Sequence, residues 1–490
     1  MKLTRIALGL AIAGLSFGAH ATNGYFSHGY GMKAKGMAGV STAMTGDAFG
    51  GANNPATMAF AGNRLDLGVD LFSPIREASR SGSTGGLLPV NADGGASALD
   101  PNNPFSSPAV GGGSVYDGMF GTVYPDMGTA FANGAYEFWQ IIPAIDGTSE
   151  SDSNYHLIPE FGYNKMITNN LALGVTVYGN GGMNTNYGED FYGGTANILG
   201  GSTRLGVDLM QLIIAPTIAY KINPNHSVGI SPLIGYQRFA AEGLQAFAAI
   251  SQDSSNLTNK GHDDAFGYGV RVGYYGRLTP TFAIGAAYAS RMEFEEFDEY
   301  KGLFAEKGDF DIPENYNIGF AWQATPSLLV GVDYQRINFS DVASVGNPST
   351  NFMGCLFNGL GLGMDPYTMG TNSYCLGGDD GAGFGWQDVD TWKLGMEYKY
   401  SSQLTLRAGY SHADQPIQSR DVEFNILAPA VIEDHVTLGF TYTRANGDEV
   451  TMAYMHGFAN DVKGPSQFFG GEDKIEMYQN SLGIQYSWKM

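Results

Sequence analysis

The chain has 490 residues, of which 15% are charged, 13% are aromatic and 70 are glycine. Soluble domains carry about 25% charged residues and about 7% glycine, so the composition favours a transmembrane β-barrel over a soluble enzyme. The formal net charge of −22 excludes binding to nucleic acid through a general basic surface.

Residues 1–21 have the three parts of a secretory signal peptide. Lys2 and Arg5 form the positive part, residues 6–18 the apolar part, and Ala19-His20-Ala21 the cleavage site. The apolar part is too short to anchor the chain in a bilayer as a helix. We therefore expect an exported protein whose mature chain begins at Thr22.

Residues 23–56 differ from everything that follows. They are rich in Gly, Ala and Met, do not alternate, and contain one short helix-like run at residues 32–45. Because they lie between the signal and a long series of strands, we predict that residues 22–62 form a hatch folded inside a barrel made by residues 63–490. Asn54, Pro55 and Ala56 are expected to form a fixed joint to the first strand.

After the hatch, apolar and small or polar residues alternate with a period of two. This pattern is typical of strands with lipid on one face and a lumen on the other. It predicts an all-β, antiparallel barrel, and fourteen strands satisfy the even number that bacterial barrels require. The predicted strands are residues 63–73, 154–165, 170–180, 206–221, 225–239, 264–277, 281–294, 310–323, 327–339, 387–400, 403–413, 431–443, 448–459 and 475–489.

The connections between these strands alternate between two kinds. Six are short and turn-like, and they are separated by seven long ones. A barrel with periplasmic turns and extracellular loops requires this alternation. The short connections lie at residues 167–170, 223–225, 278–280, 324–326, 400–402 and 445–448.

The third strand is followed at once by Gly179-Asn180-Gly181-Gly182. Glycine in or at the end of a strand marks a bulge, a bend or a broken ladder. Gly179, Gly181 and Gly182 therefore indicate a side opening in the barrel wall. The ordinary start of a loop explains them equally well.

Two long connections have features of their own. Residues 242–251 are apolar at helical spacing, with Leu244, Phe247 and Ile250 grouped. These residues either pack against neighbouring loops, which we favour, or capture a hydrophobic ligand. Cys355 and Cys375 lie in one Gly-rich segment of an exported chain. We expect them to form a disulfide, with two free thiols as the alternative.

Five charged residues occupy positions that face the lumen: Glu160, Arg271, Lys393, Glu397 and Arg407. An ionised side chain in lipid is costly, so these residues must point inward. There they can pair with one another and anchor the hatch, or receive a ligand carboxylate. We favour pairing and anchoring, because polar lumens are general in barrels.

The search for catalytic motifs gives no candidate. The sequence Gly14-Leu15-Ser16-Phe17-Gly18 matches a nucleophile elbow but lies in the signal peptide. Gly29-Tyr30-Gly31 resembles a dinucleotide-binding loop, but such a loop must follow a strand, and no strand precedes it here. We predict no enzymatic activity, no cofactor and no metal site.

Three segments carry a resemblance to a known family. They are the hatch with its Asn54-Pro55-Ala56 end, residues 312–319 (IPENYNIG) with Val332-Asp333-Tyr334, and the closing strands at residues 436–455. On these segments, and over nearly the whole mature chain, the sequence resembles the long-chain fatty acid outer-membrane transporters of the FadL family. The resemblance implies a fourteen-stranded barrel that is blocked by an N-terminal hatch.

The resemblance also implies a passive mechanism with three stages. Extracellular loops capture a hydrophobic ligand, here at Leu244, Phe247 and Ile250. A pocket beside the N-terminus of the hatch then holds it, with contacts expected from a further set of residues. The ligand finally leaves sideways through a kink in the third strand, here Gly179, Gly181 and Gly182. The expected hatch contacts are Tyr25, Phe26, Met32 and Met37.

These observations predict a channel for long-chain fatty acids or other hydrophobic compounds, located in the outer membrane of a Gram-negative cell. We expect its partners to be the ligand, membrane lipid and lipopolysaccharide, and we expect a monomer that binds no nucleic acid. An alternative is a surface barrel that acts as an adhesin or receptor without transporting anything. Acidic, Gly-rich and disulfide-closed loops suit that alternative.

Overall fold

The computed structural model describes residues 23–83, 86–91, 137–142, 146–188, 191–192, 204–359, 372–467 and 469–490. The predicted signal peptide lies outside the described residues, as does most of the long connection after the first strand. Among the described helices, none is both long enough and apolar enough to cross a membrane.

Fourteen antiparallel strands form a closed barrel, as predicted. Each strand pairs with the next one in sequence, and the last pairs with the first from Arg64↔Lys489 to Ser81↔Glu472. The strands are β1 (Arg64–Ser81), β2 (His156–Met166), β3 (Leu171–Tyr187), β4 (Leu205–Asn223), β5 (His226–Glu242), β6 (Asp263–Thr279), β7 (Phe282–Ala289), β8 (Asn315–Thr325), β9 (Leu328–Ile337), β10 (Val389–Lys399), β11 (Leu404–Ala413), β12 (Asp434–Thr443), β13 (Glu449–Pro465) and β14 (Glu472–Lys489).

The strand boundaries differ from the prediction mainly at the loop end. There β1, β3 and β13 continue beyond the predicted ends at residues 73, 180 and 459. These extensions are polar on both faces, so they carry no apolar alternation that a sequence pattern could detect. Four further short strands are described: Gly147–Glu150 pairs with β1, Glu293–Phe294 pairs with β6, and Gly86–Asn91 pairs with Glu137–Ile142.

The outward face of the barrel is apolar in the middle and aromatic at both ends. Leu482 and Ile484 on β14 are 49% and 45% exposed, as lipid-facing side chains would be in the absence of lipid. Aromatic residues form a girdle near each membrane surface, which is typical of outer-membrane barrels. The turn-end girdle includes Trp322, Tyr398, Tyr442, Tyr486 and Trp488, and the loop-end girdle includes Tyr288, Tyr334, Trp392, Tyr410 and Tyr478.

The hatch lies against inward-facing side chains from opposite parts of the barrel wall. Its backbone N–H groups donate to Asp66 on β1, Asp333 on β9, Thr437 on β12 and Gln485 on β14, at 2.8 to 3.0 Å. Two short helical turns, Met32–Lys35 and Pro55–Phe60, are its regular structure. The hatch therefore occupies the lumen at the level of the strands.

Glycines on the inward face allow the hatch to approach the wall this closely. A Cβ added at Gly285 on β7 would lie 2.0 Å from the carbonyl oxygen of Thr42, and one at Gly409 on β11 would lie 2.4 Å from the carbonyl carbon of Met37. Contacts between real Cβ atoms and backbone are never this short. The high glycine content thus serves a direct contact between the backbones of the hatch and the barrel.

Candidate functional site

The backbone pairing between β2 and β3 is interrupted. The two strands pair from Met166↔Ala172 up to Phe161↔Val177. Above that pair, their described residues do not pair again until the bridge Ser151↔Tyr187. We call this gap, bordered by residues 156–160 and 178–186, the window. The sequence-predicted opening at Gly179, Gly181 and Gly182 lies on its β3 edge.

The N-terminal end of the hatch pairs with β3 where β2 does not. Phe26 and Gly181 form an antiparallel bridge. Ser27 donates from its backbone N–H to the carbonyl of Asn180 at 3.0 Å, and Gly182 donates to the carbonyl of Tyr25 at 3.2 Å. We call residues 23–27 the hatch tip. It contributes the strand that would otherwise be missing at the window.

A bulge in β3 makes this pairing possible. The register between β3 and β4 shifts between Gly179 and Gly181. Asn180 is the extra residue, and its side-chain amide donates to Gln211 at 3.0 Å. A Cβ at Gly181 would lie only 1.5 Å from the carbonyl oxygen of Tyr25. Only glycine can therefore stand at this position while the hatch tip is paired.

Aromatic rings surround the hatch tip. The ring of Tyr25, a residue with no solvent exposure, lies 5.1 Å from Phe339, 5.8 Å from Trp386 and 6.0 Å from Phe310, measured between centroids. Its hydroxyl donates to the carbonyl of Asp311 at 3.3 Å, which satisfies its polar end. Tyr25 and Phe26 therefore lie in a dry aromatic cluster next to the window.

The other two predicted hatch contacts are elsewhere. Met32 packs against Gly483 on β14, and Met37 packs against Gly395 on β10. Neither methionine belongs to the hydrophobic cluster that contains Tyr25 and Phe26. The structure does not bring these four residues together.

The Asn54-Pro55-Ala56 segment is tightly held. The Asn54 amide donates to the carbonyls of Thr42 and Tyr274, both at 2.8 Å. Its side-chain oxygen accepts from the N–H of Ala56 and so caps the turn Pro55–Phe60. The Ser227 hydroxyl on β5 donates to the carbonyl of Ala56 at 2.8 Å. One asparagine thus connects two parts of the hatch with β6.

A small apolar pocket lies among the extracellular loops. Its volume is about 40 Å³, and Leu244 and Phe247 line it beside the short helix Gln245–Ile250. Among the described residues, no charged side chain lines it; the other lining residues include Tyr192, Val207, Phe239, Leu303, Phe304, Leu376, Phe384 and Phe424. We call it the entry pocket. Ile250 is buried against a neighbouring loop rather than lining the pocket.

Ring contacts connect the entry pocket with the hatch tip. Phe304 lines the pocket and lies 4.8 Å from Phe310, whose ring lies 6.0 Å from Tyr25, and Tyr25 lies 5.5 Å from Phe26. We call these four rings the aromatic path. Sequence reasoning missed Phe304, Phe310, Phe339 and Trp386. Phe310 and Phe339 fall inside the predicted strands 310–323 and 327–339, but β8 begins at Asn315 and β9 ends at Ile337, so both rings lie outside the strands.

A larger cavity of about 560 Å³ lies between the hatch and the turn end of the barrel. Its lining includes Lys33, Arg277, Lys399, Arg407 and Glu449. Charged walls of this kind are unfavourable for an uncharged hydrophobic solute. Size alone therefore does not identify the ligand site. The lining of the smaller pocket matches such a solute better, although the pocket must widen to admit one.

Two of the five predicted lumen charges contact the hatch. Glu160 on β2 accepts from the N–H of Gly31 at 3.1 Å and lies 2.6 Å from the Lys35 Nζ atom. Lys35 also lies 2.7 Å from Asp70. Lys393 on β10 donates to the carbonyl of His28 at 3.1 Å. Sequence reasoning found Glu160 but not its partner Lys35, because the hatch has no alternation from which the direction of its side chains could be predicted.

The other three lumen charges do not bind the hatch through ion pairs. Arg407 lies 2.7 Å from Glu397, so these two residues pair with each other. Arg271 is 4% exposed, and its Nη1 atom has no hydrogen-bond partner among the described residues. It lines a cavity of about 20 Å³ together with Phe26, Tyr30 and Lys393. A cationic group therefore lies beside the hatch tip.

A cluster of ionic groups covers the aromatic path from the loop side. Arg291 lies 2.5 Å from Asp311 and 3.2 Å from Asp309. Burial, together with the neighbouring Asp311 carboxylate, raises the pKa of Asp309 to about 8. Phe310 stands between the two aspartates, so the Asp311–Arg291 ion pair and the contact of Asp309 with Arg291 help to position its ring.

Cys355 and Cys375 form a disulfide in the extracellular loops. Among the described residues, no group of three or more His, Cys, Asp or Glu side chains is arranged to hold a metal ion.

Comparisons with known proteins agree with this geometry. The family model described as outer membrane protein transport protein (OMPP1/FadL/TodX) matches residues 18–468. No curated protein sequence matches the chain significantly.

Several solved structures are similar in fold. The Pseudomonas putida toluene transporter TodX is 18% identical, with a TM-score of 0.60, over 94% of this chain and 99% of that one. A Pseudomonas aeruginosa FadL homologue is 15% identical, with a TM-score of 0.62, over 95% and 99%. The Ralstonia pickettii toluene transporter TbuX is 15% identical, with a TM-score of 0.53, over 94% and 99%.

At such identities the solved structures show the fold, whereas the family model, which covers most of the chain, shows the family. The chain belongs to the outer-membrane transport proteins of the OMPP1/FadL/TodX family, which are channels for hydrophobic compounds.

Proposed function

We propose that the protein takes up long-chain fatty acids or other hydrophobic compounds passively, that the hatch gates it, and that the ligand leaves sideways through the window. The observation that carries this proposal is the pairing of the hatch tip with β3 at the level where β2 does not pair with it. A single movable segment then stands between the aromatic path and the lipid.

A comparison of free energies favours displacement of the hatch tip by a ligand. Two backbone hydrogen bonds join the tip to β3, and each contributes a net ~0.5–1.5 kcal/mol. A hydrocarbon gains about 0.8 kcal/mol for each methylene that leaves water. An acyl chain of about ten methylenes therefore offsets the lost pairing several times over, and no other energy source is needed.

The lining of the route supports an apolar ligand body. The described lining of the entry pocket is uncharged, and the aromatic path offers ring faces to alkyl chains and aromatic rings alike. Arg271, buried beside the hatch tip, would bind a carboxylate. We therefore propose fatty acids as the first ligands to test, and toluene, the compound of the toluene transporters TodX and TbuX, as the second.

A disulfide across the window would test the lateral exit. A Cβ at Gly179 would lie 3.2 Å from Ile158 Cγ2, so Ile158→Cys with Gly179→Cys can join β2 to β3 over the gap. We expect oxidised cells to take up [¹⁴C]oleate no faster than cells without the protein, and reductant to restore uptake.

The matched control joins the same strands where they already pair. Tyr163 and Val175 are register partners, and a Tyr163→Cys, Val175→Cys variant should transport oleate like the wild type before and after reduction. Full uptake through the oxidised window variant would refute the lateral exit. Equal uptake by cells with and without the wild-type protein would favour the adhesin or receptor alternative.

A further inference from the structure

The disulfide joins two extracellular segments at the wall of the entry pocket. Leu376 directly follows Cys375 and forms a parallel bridge with Ser251. Leu376 donates from its N–H to the carbonyl of Ile250 at 2.8 Å, and its carbonyl accepts from Gln252 at 2.9 Å. The Sγ atom of Cys355 lies 3.7 Å from the same Ile250 oxygen. Both cysteines are thus fixed against the end of the helix Gln245–Ile250.

The Leu376 segment and the helix Gln245–Ile250, which the Ser251–Leu376 bridge joins, both line the pocket. Leu244 and Phe247 come from the helix side, whereas Leu376 and Phe384 come from the disulfide side. Leu376 is 2% exposed, so its side chain is part of the apolar wall. The distance between these sides determines what the pocket can enclose.

Noncovalent contacts alone hold this spacing weakly. Two backbone hydrogen bonds contribute little net stability, because water competes for both groups. The disulfide closes a loop of 20 residues and removes much of the conformational freedom that this loop would otherwise have. The oxidised bond therefore preorganises the wall before any ligand arrives, which lowers the entropic cost of binding.

We propose that the Cys355–Cys375 disulfide determines the shape of the entry pocket and thereby the affinity of the capture step for hydrophobic ligands. The inference rests on the proposed function, since it assigns the pocket to the transported compound. When the disulfide is reduced, the Leu376 segment loses its covalent link to the helix Phe352–Gly359, whose Cys355 lies against Ile250, and this wall of the pocket loosens. The apolar ligand then stays partly in water and binds more weakly.

Equilibrium binding of [¹⁴C]oleate to the protein in lipid nanodiscs, corrected for empty nanodiscs, tests this inference. We expect reductant to raise the Kd of the wild type about fivefold, which corresponds to ~1 kcal/mol. Cys355→Ser with Cys375→Ser should show the raised Kd from the start and should not respond to reductant. Heat-dependent migration on gels checks that each barrel is folded.

A second pair of variants separates pocket shape from general loop stability. Leu376→Ala keeps the disulfide but removes part of the pocket wall, and we expect it to raise the Kd about as much as reduction does, by the same ~1 kcal/mol. Leu257 is equally buried in the loops but does not line the pocket, so Leu257→Ala should bind like the wild type.

The outcomes distinguish this inference from the proposed function. Equal oleate affinity of the oxidised and reduced wild type would overturn the role of the disulfide and leave the channel function standing. An equal loss of affinity in Leu257→Ala and Leu376→Ala would also overturn it. If the oxidised wild type binds neither oleate nor toluene above empty nanodiscs, both proposals fail.

Discussion

Lys35 Nζ lies 2.6 Å from a carboxylate oxygen of Glu160, and each side chain is 2% exposed. Asp70, with no exposure, lies 2.7 Å from the same nitrogen. One lysine of the hatch thus compensates two carboxylates of the wall. Glu160 borders the window, so this triad fixes the hatch close to the hatch tip.

Replacing Lys35 with Met should loosen the hatch. The change leaves Asp70 and Glu160 as buried neighbouring carboxylates, and breaking a buried pair in this way costs about 3–5 kcal/mol. We expect a lower unfolding temperature and a higher ion conductance in planar bilayers. Lys33→Met is the control, because its partner Glu449 keeps Arg64 and Lys489 as cationic partners. Equal conductance of the two variants would contradict the anchoring role of Lys35.

Deleting residues 23–56 should turn an ion-excluding barrel into a conducting one. This segment contains most of the hatch, and its removal leaves a lumen lined by polar and charged groups. Single-channel recordings in planar bilayers measure the change. A deleted protein that is folded but conducts no better than the wild type would show that other segments block the lumen.

Stability should fall as the pH rises towards 8, and Asp309 should contribute to the fall. Its folded pKa, about 8, is raised above the ordinary aspartate value, so the fold favours the protonated form. The resulting stabilisation is fully present below about pH 4 and is lost as the pH rises through 8. Asp311, Arg291 and Glu306 are the charged groups around Asp309.

The measurement for this prediction is the midpoint of thermal unfolding at pH 6 and pH 9. The wild type should lose more stability between these values than Asp309→Asn, which stays neutral throughout. An identical loss in both proteins would exclude Asp309 as the titrating group.

Gly285→Val should prevent the hatch from seating. Valine suits a β-strand, but its Cβ would lie 2.0 Å from the carbonyl oxygen of Thr42, so the hatch must shift. We expect increased proteolysis of the hatch and a destabilisation of about 1–3 kcal/mol, as overpacking usually causes. Gly188→Val introduces the same side chain where nothing lies within 4 Å, and it should behave like the wild type.

The strand number could be predicted because lipid and lumen impose opposite chemistry on alternate residues of each strand. The same logic placed Glu160, Arg271 and Lys393 on the inner face. It failed beyond the membrane, where β1 continues to Ser81 with polar residues on both faces. It also could not place Phe310 or Trp386, since the positions of rings in irregular loops depend on tertiary contacts that no period in the sequence records.

The inward glycines have a consequence for biogenesis. Gly285 and Gly409 bring the backbones of wall and hatch into direct contact, so at these two positions no flexible side chain could yield during threading. We therefore expect a finished barrel to resist insertion of the hatch from the periplasm. The strands would then close around residues 32–58 during assembly, and the hatch would serve as the template on which the cylinder is built.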